Sequence, residues 1–186
     1  MAVSQTHMTV EEFLTLPEEK PALEFEDGMV SQKVSPRAKH SRLQLTFSER
    51  INDQTVQRKL AMAFPELRAS FGGHSYVPDV AVLRWDRIPV DSDGTIEGDV
   101  FEPPDIAIEI VSPGQSVNAL VRRCVWYTEH GVKIALLVDP ADESVIRFRP
   151  GESPTALNGD ERIELVGVLD DFAPTVRELF DSLRIR

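Results

Sequence analysis

Two stretches constrain this chain more than any other feature: Tyr76-Val77-Pro78-Asp79-Val80-Ala81-Val82-Leu83 and Asp105-Ile106-Ala107-Ile108-Glu109-Ile110-Val111-Ser112-Pro113. Each is a short run of β-branched and apolar residues, the pattern of a strand covered on both faces. Each also carries a carboxylate where such a strand ordinarily has none, Asp79 near the start of the first run and Glu109 inside the second. A carboxylate buried there is costly unless it is paired or bound to a cation. On neighbouring strands the two would make an oxygen-donor site for a divalent metal. In the plainer reading each acid sits at a frayed strand end facing water, and the residues alone leave both readings open.

The remaining elements follow from periodicity and turn chemistry. Residues 1–8 read as a loose terminus, and Thr9 with Glu11 and Glu12 opens a helix that Leu16-Pro17 closes. Leu23-Glu24-Phe25-Glu26, a turn at Asp27-Gly28 and a return over Met29–Val34 predict a hairpin with Glu24 and Glu26 on one face. From Arg37 to about Gln57, His40, Leu43, Phe47 and Ile51 fall on one helical face, His40 as a core or capping residue or as a ligand near the helix start. Residues 59–71 read as an extended edge segment interrupted by Pro65, with Gly72-Gly73 turning into the Asp79 strand. Residues 86–104 read as a surface excursion, in which Asp91-Ser92-Asp93-Gly94 has the wrong spacing for a calcium loop and marks a plain turn.

After Ser112-Pro113-Gly114 a helix is predicted from about Ser116 to His130, with Val117, Leu120, Val121, Cys124 and Tyr127 as its apolar stripe and Gly131 as its cap. At ~100° per residue Arg122 points to water and Arg123 toward the sheet. Lys133–Pro140 is the next buried strand, so a strand–helix–strand crossover makes the two strands parallel and the chain α/β, a mixed sheet flanked by helices. A half-exposed strand over 143–150, a polar turn region to about Asp160, a strand at Ile163–Val166 and a capped helix over 175–183 complete the reading. Ser112 is a turn or cap residue and Tyr127 a core residue in this reading.

A chain of 186 residues suits one domain, 1–186. The formal net charge of −11 argues against a general electrostatic grip on nucleic acid or an anionic membrane, while allowing a local basic groove. One cysteine, Cys124, excludes an internal disulfide, a cysteine zinc site and a two-cysteine redox motif. The first residues lack a leader pattern and no apolar run has the length of a membrane span, so a cytoplasmic protein with no membrane partner is expected.

Taken in order, Leu23–Gly28, Ser35-Pro36 followed by His40, Val77-Pro78-Asp79-Val80, Pro104-Asp105 leading to Glu109–Pro113, and Tyr127 with Gly131 before Leu137-Val138-Asp139-Pro140 resemble the Uma2 family, also known as DUF820, of the PD-(D/E)XK nuclease superfamily. The resemblance covers roughly residues 9–183. It implies a restriction-endonuclease-like core with an N-terminal β-hairpin, and an endonuclease that hydrolyses DNA with Mg²⁺, or Mn²⁺ in its place. Asp79, Glu109 and the peptide oxygen of Ile110 would hold the metal. Glu24 would add a ligand or orient water, and His40 would approach from its helix. The superfamily's usual lysine, two residues after the glutamate, is Val111 here, and the position where Uma2-like sequences place a lysine on the next helix is Arg123. Arginine can hold a phosphate but is a very poor proton donor or base. The resemblance therefore implies either a DNA-cleaving homodimer or, if that lysine is indispensable, a weak or inactive member serving as a binding or assembly module.

Overall fold

This computed structural model describes residues 8–98 and 100–185. A single helical turn, α1 (Val10–Phe13), starts at a capping box in which Thr9 and Glu12 satisfy each other's backbone N–H groups. It is followed by strands β1 (Leu23–Glu26) and β2 (Met29–Gln32), joined by Asp27 and Gly28 at φ 50° and 79°. That left-handed pair is what a two-residue hairpin turn requires, and it fixes the register, Glu26 opposite Met29 and Glu24 opposite Ser31. Helix α2 (Ala38–Thr55) then leads to β3 (Ala61–Pro65), β4 (Ala69–Phe71), β5 (His74–Tyr76) and β6 (Val80–Arg84). Strand β7 (Ile106–Ile110), helix α3 (Val117–Glu129) and β8 (Ile134–Asp139) form the expected crossover, with β7 and β8 parallel. The chain ends with β9 (Ser144–Phe148), β10 (Thr155–Asn158) and α4 (Val176–Phe180).

The strands make two sheets, one ordered β2-β1-β5-β4 and one ordered β10-β9-β8-β7-β6-β3. Strand alternation sorts the larger sheet into two cores. Ile106, Ile108 and Ile110 of β7 and Ile134, Leu136 and Val138 of β8 face α2 and α4, against Leu43, Phe47, Ile51, Leu179 and Phe180. Ala107, Ala135 and Leu137 face the other way, against Leu120, Cys124 and Tyr127 of α3 and Phe71 and Tyr76 of the smaller sheet. Ala107 and Ala135 on that second face let α3 lie close to the sheet. The same alternation turns Glu109 toward α3.

The α/β class, the hairpin, the parallel crossover and the exposed and inward placements of Arg122 and Arg123 agree with the sequence. Five expectations change. Residues 76–83 are two strands in two sheets: β5 ends at Tyr76, Val77-Pro78-Asp79 crosses between sheets, and β6 starts at Val80. Pro78 has no N–H to give a ladder, so the break falls there. Residues 59–71 likewise split into β3 and β4, with Pro65 ending an edge strand. Residues 155–158, expected as turn, are β10, whereas 163–166 pack Ile163 and Leu165 into the core without forming a strand. Helix α1 ends at Phe13, before Leu16-Pro17. The loose terminus expected over 1–8 lies, apart from Met8, outside the described residues. Among the described residues no helix is long and apolar enough to cross a membrane.

Ile108 is fully buried at the centre of the larger sheet. Shortening it to alanine leaves a cavity among side chains of β6, β8 and α2, and Ile108→Ala is expected to lose about 2–5 kcal/mol of stability in urea unfolding. A loss under about 1 kcal/mol would mean that this layer is not the packed centre described.

Candidate active site

Antiparallel pairing of β6 with β7 sets Val80 against Ile108, so one residue further along Asp79 stands opposite Glu109. Both are buried at 2% exposure, and both belong to the wall of a cleft of about 180 Å³. Glu24, Lys33, His40 and Arg123 line the same cleft. Every side chain expected at the site, Asp79, Glu109, Glu24, His40 and Arg123, is therefore brought together. The alternative of two acids at frayed, solvated strand ends is excluded by their burial.

Each central carboxylate is held by one helix. From α2, His40 and Gln44 lie one turn apart on the same face. His40 Nε2 sits 3.2 Å from Asp79 Oδ1, and Gln44 Nε2 donates to the Asp79 carbonyl at 2.8 Å. The Ile110 N–H donates to Asp79 Oδ2 at 2.7 Å. From α3, Arg123 and Tyr127 form the equivalent pair. The Tyr127 hydroxyl donates to Glu109 Oε1 at 2.8 Å, and Arg123 Nη1 lies 3.6 Å from the same oxygen. Among the described residues these contacts go to Oε1, which leaves Oε2 for a ligand in the cleft.

Arg123 spends most of its bonding on Glu24. Its two terminal nitrogens donate to Glu24 Oε1 and Oε2 at 3.1 and 2.8 Å, and its guanidinium lies over the Tyr76 ring, 4.4 Å from the centroid. Such a fork-to-fork pair with a stacked face is geometrically fixed. Glu24 also accepts the Val77 N–H at 3.0 Å, so it anchors the segment that crosses between the sheets.

Lys33 joins the site although no sequence motif singles it out. Its ammonium donates to Asp79 Oδ1 and to the Val77 carbonyl, both at 2.7 Å. A signal for it exists: the two-residue Asp27-Gly28 turn fixes the hairpin register, which sets Lys33 opposite Ala22 and so on the face of Glu24. Ser112 also proves to be more than a turn residue. Its Oγ lies 2.9 Å from His40 Nδ1, while its N–H donates to Gln115 Oε1. It is buried and does not line the cleft, so it orients the imidazole toward Asp79. Tyr127 combines its expected core position with a direct bond to Glu109.

Burial, the largest influence on both acids, pushes each upward, and their partners decide the outcome. The His40 hydrogen bond and the Lys33 charge overcome burial at Asp79 and hold it below the usual carboxylate range. Glu109 has weaker help. Burial outweighs the Arg123 charge, neighbouring Asp79 adds repulsion, and Glu109 is raised from 4.5 to about 7. Lys33 is desolvated but moves up, because Asp79 and Glu109 stabilise its charge.

Among the described residues no group of three or more His, Cys, Asp or Glu side chains is placed to hold a metal ion. The donor set is two carboxylates. That set fits a hard cation such as Mg²⁺, which keeps most of its waters and takes one or two carboxylates. An ammonium 2.7 Å from Asp79 Oδ1 shows that this oxygen already accepts a cation.

Known proteins share this architecture. The Uma2 family model, described as "Putative restriction endonuclease", matches residues 10–177. A crystal structure described as "a putative nuclease belonging to DUF820", from Anabaena variabilis ATCC 29413, matches at a TM-score of 0.91 with 34% sequence identity, covering 95% of this chain and 99% of that one. No curated protein matches.

Glu109 supplies a pH test. Its folded pKa lies above the unfolded one, so the folded state binds more protons between 4.5 and about 7, and stability falls as pH rises through that window. Urea unfolding of wild type and Glu109→Gln across the window is expected to show wild type losing stability relative to the variant as pH increases. Parallel curves would contradict the raised pKa.

Proposed function

The chain belongs to the Uma2 family, and from that premise we propose that it is a divalent-metal-dependent endonuclease hydrolysing phosphodiester bonds of DNA. The observation that carries the proposal is the cross-strand placement of Asp79 and Glu109 at one buried cleft. These two carboxylates would hold Mg²⁺ or Mn²⁺, with the Ile110 carbonyl as a third oxygen. Support for the third comes from strand geometry: Ile110 gives its N–H to Asp79, and a strand residue's N–H and C=O point to the same side. When bound, the cation would lower the pKa of a water and stabilise charge on the phosphate.

The chain's own residues would do the rest. Water attacks phosphorus and releases a proton to solvent, the bond to the leaving oxygen breaks, and that oxygen takes a proton from solvent. His40, oriented by Ser112, keeps Asp79 aimed into the cleft. Arg123, fixed by Glu24, provides a permanent positive charge beside the phosphate and carries no proton in either direction. The cleft is small, about 180 Å³, so the strand would lie across its mouth. Exposed Arg37 and Lys39 border an adjoining hollow that shares His40 and Gln115 with the cleft, and would give an otherwise acidic protein a local phosphate grip. Two copies related by a two-fold axis would suit cutting both strands of a duplex.

A second reading has its own observation. Lys33, His40, Arg123 and Tyr127 already occupy oxygens of both acids, as a fold kept as a binding or assembly module would have them. Asp79→Ala and Glu109→Ala discriminate. On the nuclease reading both variants stay folded, lose Mn²⁺ affinity by at least ~100-fold in calorimetry, and lose cleavage of plasmid DNA. Cleavage that survives both substitutions would remove the nuclease reading at this site, and a wild type that neither binds Mn²⁺ nor cuts would favour the module.

A further inference from the structure

Among the described residues two permanently charged cations line the cleft, Lys33 and Arg123, and they are held differently. Arg123 is locked by a two-point bond to Glu24 and by its contact with the Tyr76 ring. Lys33 reaches in on a flexible four-carbon stem and meets one carboxylate oxygen and one carbonyl. Its side chain is 10% exposed, and it lines both the cleft and a second hollow of about 700 Å³ on its other side. It therefore has room to leave Asp79 without disturbing the fold.

We infer that Lys33 is a further catalytic residue of this cleft, the cation that contacts the scissile phosphate, resting on Asp79 until a divalent ion takes that carboxylate. The inference deepens the nuclease reading and rests on it. An ammonium hydrogen-bonded to Asp79 Oδ1 cannot keep that place beside a divalent charge on the same group, because like charges a few ångströms apart repel strongly in a desolvated site. The bound phosphate is the nearest new partner for it. Lys33 would so supply the direct phosphate contact that Val111 cannot make and that the Glu24-bound Arg123 supplements only by its charge, from the hairpin rather than from the β7 strand or α3.

The position of Lys33 can be read without any turnover. Acylation of wild-type protein by an amine-reactive ester, with Lys33 followed by peptide mass spectrometry, is expected to be slow without metal and about 10-fold faster with saturating Mn²⁺, against unchanged rates at Lys39 and Lys133. In parallel, Lys33→Met should bind Mn²⁺ at least as tightly as wild type yet cut DNA about 100-fold more slowly, and Lys33→Arg should recover part of the rate. Equal Lys33 acylation with and without Mn²⁺ overturns the inference, as does a Lys33→Met protein that cuts at the wild-type rate. A Lys33→Met protein that loses Mn²⁺ binding overturns it too, because the lysine would then be supporting the site rather than competing for it. Failure of the parent reading looks different: Asp79→Ala would keep its cleavage.

Discussion

Two buried carboxylates, one just before β6 and the other in the neighbouring β7, are the constraint on which the rest of this structure depends. Asp79 and Glu109 are both buried, and their mutual repulsion adds to the cost of desolvation. The fold surrounds them with donors from every side: α2 supplies His40 and Gln44, α3 supplies Arg123 and Tyr127, the hairpin supplies Lys33, and β7 supplies a backbone N–H. The two helices lie on opposite faces of the larger sheet, yet both aim a one-turn pair of side chains at the same sheet end. That end is also where the chain crosses between sheets, and Glu24 ties the crossing segment down through Val77.

The partners are unequal, and the inequality is the chemical content of the site. Asp79 is kept ionised by a histidine and a lysine, whereas Glu109 sits near neutrality. On the proposed reading such a pair would take one divalent cation, which would ionise Glu109 and displace the lysine from Asp79. On this account the cation network is a resting arrangement whose members exchange places when metal and phosphate arrive. Arg123 is the exception, because its two-point bond to Glu24 and its contact with the buried Tyr76 ring hold it in place.

Much of this is legible in the residues. Acids inside apolar runs mark Asp79 and Glu109, a helical face marks His40, and ~100° steps separate Arg123 from Arg122. What the residues conceal has a physical reason. The apolar run over 76–83 hides a change of sheet, since burial on both faces erases alternation, and only Pro78 betrays it. Strand β10 exposes all but Leu157, so it carries too little pattern to be seen, while Ile163 and Leu165 are buried by α4 and the sheet without ladder pairing. Lys33 is hidden because a lysine on a hairpin reads as solvated unless the register is carried past the last strand residue. Ser112 is hidden because its contact with His40 spans 72 positions of sequence.

The central claim is that Asp79 and Glu109 form a cation site whose occupancy frees Lys33. Anomalous diffraction from crystals soaked in Mn²⁺ tests it most directly. The account predicts an anomalous peak between the two carboxylates, with the Lys33 ammonium withdrawn from Asp79 Oδ1. A cleft without a peak at saturating Mn²⁺, with Lys33 still hydrogen-bonded to Asp79, would contradict it.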